Sequence, residues 1–313
     1  MARPVNERIR TVLTVGGNAL VRPGEEGSVN EQRKRSLELA EKIASLPPSM
    51  ELILTHGNGP QVGRVLLRSD LCSDTVPPVP IDMAVSATQG QMGIMLQQAI
   101  ESVAKRPAAS VLTQVLVRAD DPAFQNPNKF IGRFYSKEEA HAKAEALGWQ
   151  IREDPGRGWR RVVASPQPLK IIEREAIDAM LKAGITVIAC GGGGVPVIRQ
   201  DDQHVGIEAV VDKDRSSALL AHMVRADWLI SLTGVDEVMV DFAKPSERPI
   251  KSATLAEMKA HLDAGQFPEG SMAPKIRSAL QFLTDGGQKV IVTSPEKLAL
   301  AIEGKAGTHI SRT

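Results

Sequence analysis

Aromatic side chains are scarce in this chain: three Trp, one Tyr and six Phe make up 3% of its 313 residues. Binding nucleic acid by base stacking needs such faces, so that class of partner is disfavoured. No sign of charge dominates. With 38 Lys and Arg against 37 Asp and Glu the net charge is +1, and the basic footprint of a nucleic-acid or acidic-membrane binder is missing. Cysteine is limited to Cys72 and Cys190, far apart and outside any CxxC or Cys/His cluster. That excludes a disulfide scaffold and leaves two buried thiols in a reducing cytoplasm as the expectation. No apolar run approaches 18 residues, and Met1–Arg10 lacks the apolar segment of a secretion signal, so a soluble, cytoplasmic protein is expected.

Several motifs are missing too. There is no GxxxxGK[ST], hence no P-loop, and no HExxH among the six histidines. Gly57-x-Gly59-x-x-x-Gly63 comes close to the dinucleotide fingerprint, but Val62 stands where a glycine or alanine is required. Gly192-x-Gly194 fails likewise, with Val197 in the third place. No Ser/His/Asp or Cys/His arrangement for covalent catalysis is supported.

What is present is one construction, used three times. Leu52-Ile53-Leu54-Thr55 runs into His56-Gly57-Asn58-Gly59-Pro60-Gln61, with a helix expected from Gln61. Thr11–Val15 runs into Gly16-Gly17-Asn18-Ala19, and Ile185–Cys190 into Gly191-Gly192-Gly193-Gly194. A strand that stops at a glycine turn before a helix offers backbone N–H groups to an anion. Three such turns in a βα chain are expected to converge at the carboxyl edge of a parallel sheet.

The length allows about two domains and burial of roughly 75% of the unfolded surface. Helical periodicity predicts a helix after a Val21–Asn30 loop, running to about Leu46 and ended by Pro47-Pro48, and another over Asp82–Lys105, where Met83, Ala87, Gly90, Ile94, Gln97 and Gln98 share one face of a core or dimer helix. Strands are expected at Ser110–Val117, Trp228–Leu232 and Lys289–Thr293, and helices at Glu173–Lys182, Arg215–Val224 and Glu296–Glu303. Thr254 with Glu257 has capping-box spacing for a helix ending at Gly265, and Pro274 suits the first turn of another helix. Between Arg118 and Ser165 the rhythm breaks. A Pro/Asn-rich loop, a Lys/Glu/Ala helix and a hairpin around Pro155-Gly156-Arg157-Gly158 read as an inserted lid. The alternation elsewhere predicts an α/β fold, a three-layer α/β/α sandwich around a mostly parallel open sheet.

The cations stand at turns: Lys129 in the Pro/Asn-rich loop, Lys213 between Asp212 and Asp214, and Lys275 after Pro274. Alone, each would be a solvated surface residue. Together with the glycine turns they point to phosphoryl transfer, which demands charge neutralisation and in-line positioning. Asp214 would align an ammonium group or bind a metal. His56 suits an orienting hydrogen bond better than general-base work, and an acceptor that is already an oxyanion needs no base.

Gly16-Gly17-Asn18-Ala19-Leu20, Thr55-His56-Gly57-Asn58-Gly59-Pro60-Gln61-Val62-Gly63, Gly158-Trp159-Arg160-Arg161-Val162-Val163, Glu208-Ala209-Val210-Val211-Asp212-Lys213-Asp214 and Gly270-Ser271-Met272-Ala273-Pro274-Lys275 closely resemble the carbamate kinases, a branch of the amino-acid kinase superfamily. The resemblance extends from Thr11 onward. It implies Mg²⁺-dependent phosphoryl transfer between ATP and carbamate, giving ADP and carbamoyl phosphate, in a cytoplasmic homodimer. It further implies a lobe over residues 1–213 for carbamate or carbamoyl phosphate, with the protruding insert at about 118–165, and a nucleotide lobe over 214–313. By resemblance, Lys129, Lys213 and Lys275 neutralise the phosphoryl group and Asp214 organises the lysines. Gly16, Gly17, Asn18, Gly57, Asn58, Gly59 and the Gly191, Gly192 and Gly193 amides line the substrate, and Thr233, Asp236, Ser271, Met272 and Pro274 the nucleotide. No metal ligands are assigned.

Where superfamily relatives carry a first-strand lysine, Thr14 and Val15 stand here, and Lys129 is the substitute. The chain departs from the family pattern at Asn128, Phe130, Ala273 and Gly234 without losing a proposed catalytic group. Resemblance suggests a role in arginine breakdown, run toward ATP. Two alternatives keep the fold: a kinase for another small carboxylate or phosphonate, and a nucleotide-binding regulator without activity.

Overall fold

Val12, Leu13, Ile53 and Leu54 are all but sealed from solvent. Consecutive residues of a strand point to opposite faces, so both faces of the sheet they belong to are covered. The computed structural model describes residues 8–16, 20–22, 24–154 and 156–313. Its main sheet has eight strands in the order Ser252–Thr254, Thr308–Ser311, Lys289–Thr293, Trp228–Leu232, Arg10–Val15, Glu51–His56, Thr186–Ile188, Ala108–Ser110. The six strands from Lys289–Thr293 to Ala108–Ser110 pair in parallel, and Thr308–Ser311 runs antiparallel to Lys289–Thr293.

The sheet sorts its side chains into two buried cores. Val12, Ile53, Leu229 and Val290 face helices Lys213–Met223 and Met272–Thr284. Leu13, Leu54, Ile230 and Ile291 face helices Val29–Ala44 and Ile81–Ala99. This is the three-layer α/β/α sandwich that the alternation implied. Both cores draw residues from either side of position 213/214, and that division falls in the first turn of helix Lys213–Met223. Among the described residues no helix is long and apolar enough to cross a membrane.

Helix starts follow local chemistry. Ser28, Ser136 and Thr254 each close a capping box with a glutamate three residues on. The run expected as one strand over Ser110–Val117 is instead two, Ala108–Ser110 and Gln114–Leu116, in different sheets. At the break the Gln89 side-chain amide accepts from Thr113 N–H at 2.7 Å and donates to Thr113 O at 3.1 Å, which withdraws that N–H from any ladder, while Thr113 O also accepts from Val195 N–H of the second sheet at 2.8 Å. The long helix keeps α geometry over Ile81–Ala99, widens to π over Ile100–Ala104, and stops at Lys105 with φ 54°. On the face singled out from the sequence, Met83, Ala87, Gly90, Ile94 and Gln98 are exposed, while Ala84, Val85, Thr88, Met92 and Leu96 are buried. That face is therefore not the core face of this chain.

The insert is a three-stranded antiparallel sheet, ordered Lys129–Tyr135, Gly158–Val163, Gln150–Asp154, with helix Lys137–Leu147 against it. Lys129 begins a strand here rather than lying in a loop. So small a unit buries little aliphatic surface, and cations stacked on rings supplement it: Lys143 and Arg161 sit 5.2 and 5.0 Å from the Trp149 centroid, and Arg160 sits 4.9 Å from that of Phe134. A Cβ on Gly63 would stand 3.4 Å from Cα of Gly132, so insert and helix Gly59–Leu71 meet backbone to backbone.

Candidate functional site

From Arg10–Val15 the chain steps to Glu51–His56, goes on to the edge strand Ala108–Ser110, fills the place between them with Thr186–Ile188, and then crosses to the other side of the first strand with Trp228–Leu232. The reversal opens a crevice at the carboxyl ends of the central strands, where ligands of open α/β sheets bind. Gly16, Gly57 and Gly191 lie at that edge, and Val15 and His56 end their strands in register. Gly17 and Asn18 fall outside the described residues.

The glycines are there largely for shape. A Cβ on Gly192 would come within 2.2 Å of the Asn58 amide, and one on Gly193 within 2.0 Å of Val211 O. Gly57 N–H donates to Val15 O at 2.9 Å and Gly193 N–H to Cys190 O at 3.0 Å. Those two amides are paired with backbone carbonyls. Cys190 before the run is buried as expected and has φ 51°, a left-handed conformation unusual for a side-chain-bearing residue, whereas Cys72, expected buried, is exposed at the end of helix Gly59–Leu71. Asn58, buried, stands at the N-cap of helix Gly59–Leu71 but turns its amide to Thr88 Oγ1 at 2.8 Å. Gly59 is exposed beside it.

Facing these corners is a chain of alternating charge. Helix Lys213–Met223 starts two residues earlier than its periodicity suggests, because Asp212 caps it through the N–H groups of Asp214 and Arg215. Lys213 Nζ meets Asp214 Oδ1 at 2.6 Å. Lys275 Nζ, from the first turn of helix Met272–Thr284, lies 3.0 and 3.2 Å from the two Asp214 oxygens. Lys129 Nζ reaches from the insert to Asp212 Oδ2 at 2.7 Å. Three lysines that stand 84 and 62 residues apart in sequence are thus gathered on consecutive acidic positions of one turn.

The electrostatics follow from burial. Burial opposes ionisation of Asp214, yet Lys213 and Lys275 overcome it and hold the carboxyl well below its ordinary range. Burial pushes the Lys213 ammonium down, with Lys275 adding to the effect and Asp214 resisting it. For Asp212 burial again opposes ionisation, and Lys129 carries the balance to a lowered pKa. His56, sealed under the glycine turn with Nδ1 3.2 Å from Gly57 O, is pushed down to about 4 by burial, opposed by that contact and assisted by Lys213. It is a neutral imidazole.

Beneath the lysines lies a rung of hydroxyls. Thr14 pairs in register with Thr55 on one side and Ser231 on the other. Lys213 Nζ approaches Thr14 Oγ1 at 3.4 Å, Thr55 Oγ1 meets Ser217 Oγ at 2.6 Å, and the Ser231 hydroxyl is buried without a partner. Sequence reading missed Asp212, Ser217 and Ser231. For Asp212 there was a signal, an N-cap residue ahead of a helix; for the hydroxyls the signal exists only in strand register.

The expected nucleotide residues form two loops. Thr233 continues the strand Trp228–Leu232 with its N–H on Thr293 O at 2.9 Å, and exposed Asp236 accepts the Ser294 hydroxyl. Ser271, Met272 and Pro274 surround the start of the helix that carries Lys275, with Ala273 buried between them. No hydrogen bond or ion pair among the described residues joins the loops to each other. Nor do the described residues form a cluster of three metal-ligating side chains. Asp214, whose two oxygens already face ammonium groups, does not fit a resident metal.

An α/β/α sandwich with glycine corners and a buried Lys–Asp–Lys cluster at its switch point defines a protein built to hold and move an anionic group. The model of the amino acid kinase family matches residues 10–294, and the chain belongs to that family. It is 42% identical to the carbamate kinase of Thermococcus kodakarensis over 97% of this chain and 99% of that one. To the carbamate kinase of Pyrococcus furiosus it is 41% identical, over 96% and 98% of the two chains. The solved carbamate kinase of Giardia lamblia bound to AMP-PNP superposes with a TM-score of 0.91 at 36% identity, over 98% of this chain and 99% of that one.

Proposed function

We propose that this protein is an enzyme that moves a phosphoryl group between ATP and carbamate, giving ADP and carbamoyl phosphate. The observation that carries the reading is the Lys213–Asp214–Lys275 cluster facing glycine corners, in a chain similar to carbamate kinases along nearly its whole length. A carbamate oxygen attacks the γ-phosphorus, the bond to the β,γ-bridging oxygen breaks, and ADP leaves with that electron pair. The nucleophile is already an anion, so no proton is removed, in keeping with a buried neutral His56. Lys213 and Lys275 neutralise charge on the transferring group, Asp214 keeps both ammoniums aligned, and Lys129 adds a third from the insert. Gly16, Gly17, Asn18, Asn58, Gly59, Gly191 and Gly192 line the carbamate end. Gly57 and Gly193 line it with them and also hold its shape.

In this reading residues 1–213 carry carbamate, 214–313 carry the nucleotide near Thr233, Asp236, Ser271, Met272 and Pro274, and the insert is a lid. Mg²⁺ arrives with the nucleotide as part of the substrate. The enzyme is cytoplasmic and works toward ATP in arginine breakdown. It pairs as a homodimer through the Met83, Ala87, Gly90, Ile94 and Gln98 face, an exposed apolar stripe with small residues that admit a close partner.

A coupled assay forming ATP from ADP and carbamoyl phosphate tests the function. Sustained ATP formation is expected. Turnover with a different acyl phosphate and none with carbamoyl phosphate would overturn it.

A further inference from the structure

Asp212 joins the insert to the charged cluster, and each of its oxygens has a separate task. Oδ1 accepts from Asp214 N–H at 2.9 Å and Arg215 N–H at 3.4 Å, fixing the first turn of the helix that bears Lys213 and Asp214. Oδ2 accepts from Lys129 Nζ at 2.7 Å. Lys129 is the first residue of the insert's strand Lys129–Tyr135, so its ammonium anchors the insert at the end nearest the crevice.

Three further ties of the insert lie away from that turn. Arg161 pairs with Glu208 at 2.9 Å, Lys143 stands 3.8 Å from Asp70, and Gly132 packs on Gly63. They hold the insert on helix Gly59–Leu71 and the 208 loop. From the insert's first strand the Lys129–Asp212 pair reaches the turn that carries the phosphoryl-facing groups, and at the insert's far end Arg215 of that turn donates to Ser165 O at 3.3 Å.

We propose that Asp212 is a positioning residue that makes closure of the insert and alignment of the Lys213–Asp214–Lys275 cluster a single event. With one carboxylate shared between helix cap and insert, a displacement of Lys129 is felt at the amides of Asp214 and Arg215. A phosphoryl group entering the crevice offers Lys129 a second anion, and Asp212 sets how far the ammonium must travel to meet it. The inference rests on the phosphotransferase reading of Lys129.

Asparagine separates the two tasks. It keeps an oxygen that caps a helix well, but its amide nitrogen does not accept from an ammonium group. Alanine removes both. Hydrogen exchange of the ligand-free protein, and kinetics of ATP formation from ADP and carbamoyl phosphate, would be compared for wild type, Asp212→Asn and Asp212→Ala. Asp212→Asn is expected to exchange faster in strand 129–135 with helix 213–223 unchanged. Its kcat is expected to fall roughly 10- to 100-fold with KM for ADP held, as for reacting groups misplaced by about an ångström. Asp212→Ala is expected to loosen strand and helix alike.

An Asp212→Asn protein matching wild type in exchange or in kcat would overturn the proposal. So would one that loosens the helix as much as alanine does, since Asp212 would then be a cap and nothing more. Wild type that makes no ATP would sink the functional reading instead, and the exchange comparison would still decide whether strand and helix are coupled through Asp212.

Discussion

At the scale of single residues the cost of the site is concentrated on a few buried charges. Asp214 faces two ammonium groups at 2.6 to 3.2 Å, and Lys213 is held in a setting that disfavours its charge. An ammonium short of solvent is poised to gain from a phosphoryl anion what burial took away. Lys213→Ala is therefore expected to lower kcat by at least ~100-fold, the scale of one lost transition-state donor. Steady-state ATP formation checks it, and unchanged turnover would remove Lys213 from the mechanism.

His56 gives a prediction about stability. Its folded-state pKa of about 4 lies below the ordinary 6.5, so between those values the unfolded chain takes up a proton that the native chain does not. Stability is thus full above pH 6.5 and declines as pH falls toward 4. From pH 7 to pH 5 this one group removes about 2 kcal/mol. Urea unfolding at the two pH values should show that loss in wild type and a loss smaller by that amount in His56→Gln. Equal losses in both would assign the acid sensitivity to other groups.

At the scale of elements, the glycine run 191–194 and the helix from Lys213 are packed as one piece. Gly193 lies against Val211 O, and its own carbonyl accepts the Ser216 hydroxyl at 2.7 Å. A methyl at position 193 would have to push the 211–213 segment aside, and Lys213 travels with it. Gly193→Ala should fold, shown by an unchanged far-ultraviolet circular dichroism spectrum, yet lose at least ~10-fold in kcat, as expected for groups displaced by about an ångström. A fully active variant would show that the two segments are independent.

Elements were also where sequence reading was most and least successful. Strands Trp228–Leu232 and Lys289–Thr293 are seen with the limits their apolar runs gave, and the Thr254 capping box is formed. These signals are local, a few adjacent side chains competing for a few backbone groups. The break at Thr113 was illegible because its partners are distant in the chain, Gln89 lying 24 residues earlier and Val195 in the second sheet. The start of the insert's first strand at Lys129 was hidden by the loop residues Asn126, Pro127 and Asn128 just before it, because only pairing with Val163 on a distant strand marks Lys129 as strand.

At the scale of the whole molecule, one sheet carries residues from both ends of the chain, and the charged site lies where its strand order reverses. The face of helix Ile81–Ala99 opposite the core leaves Met83 54% and Ile94 48% exposed. A charge placed there costs this chain's own core nothing. In the proposed homodimer, Ile94→Glu is accordingly expected to halve the mass seen by light scattering while leaving the circular dichroism spectrum intact. A monomeric wild type, or a variant that stays dimeric, would place the contact elsewhere or remove it.

The sequence by itself determined the alternation of strands and helices, the three glycine corners and the residue types of the site, because periodicity, turn chemistry and charge are properties of neighbouring residues. It also carried enough of a known pattern to indicate the class of reaction. Only the tertiary structure decided that Lys129, Lys213 and Lys275 share Asp212 and Asp214, that the Gly57 and Gly193 amides are paired with backbone carbonyls, and that Thr14, Thr55 and Ser231 form a rung. Each of these depends on strand register and helix placement, which bring together groups that chain order keeps apart.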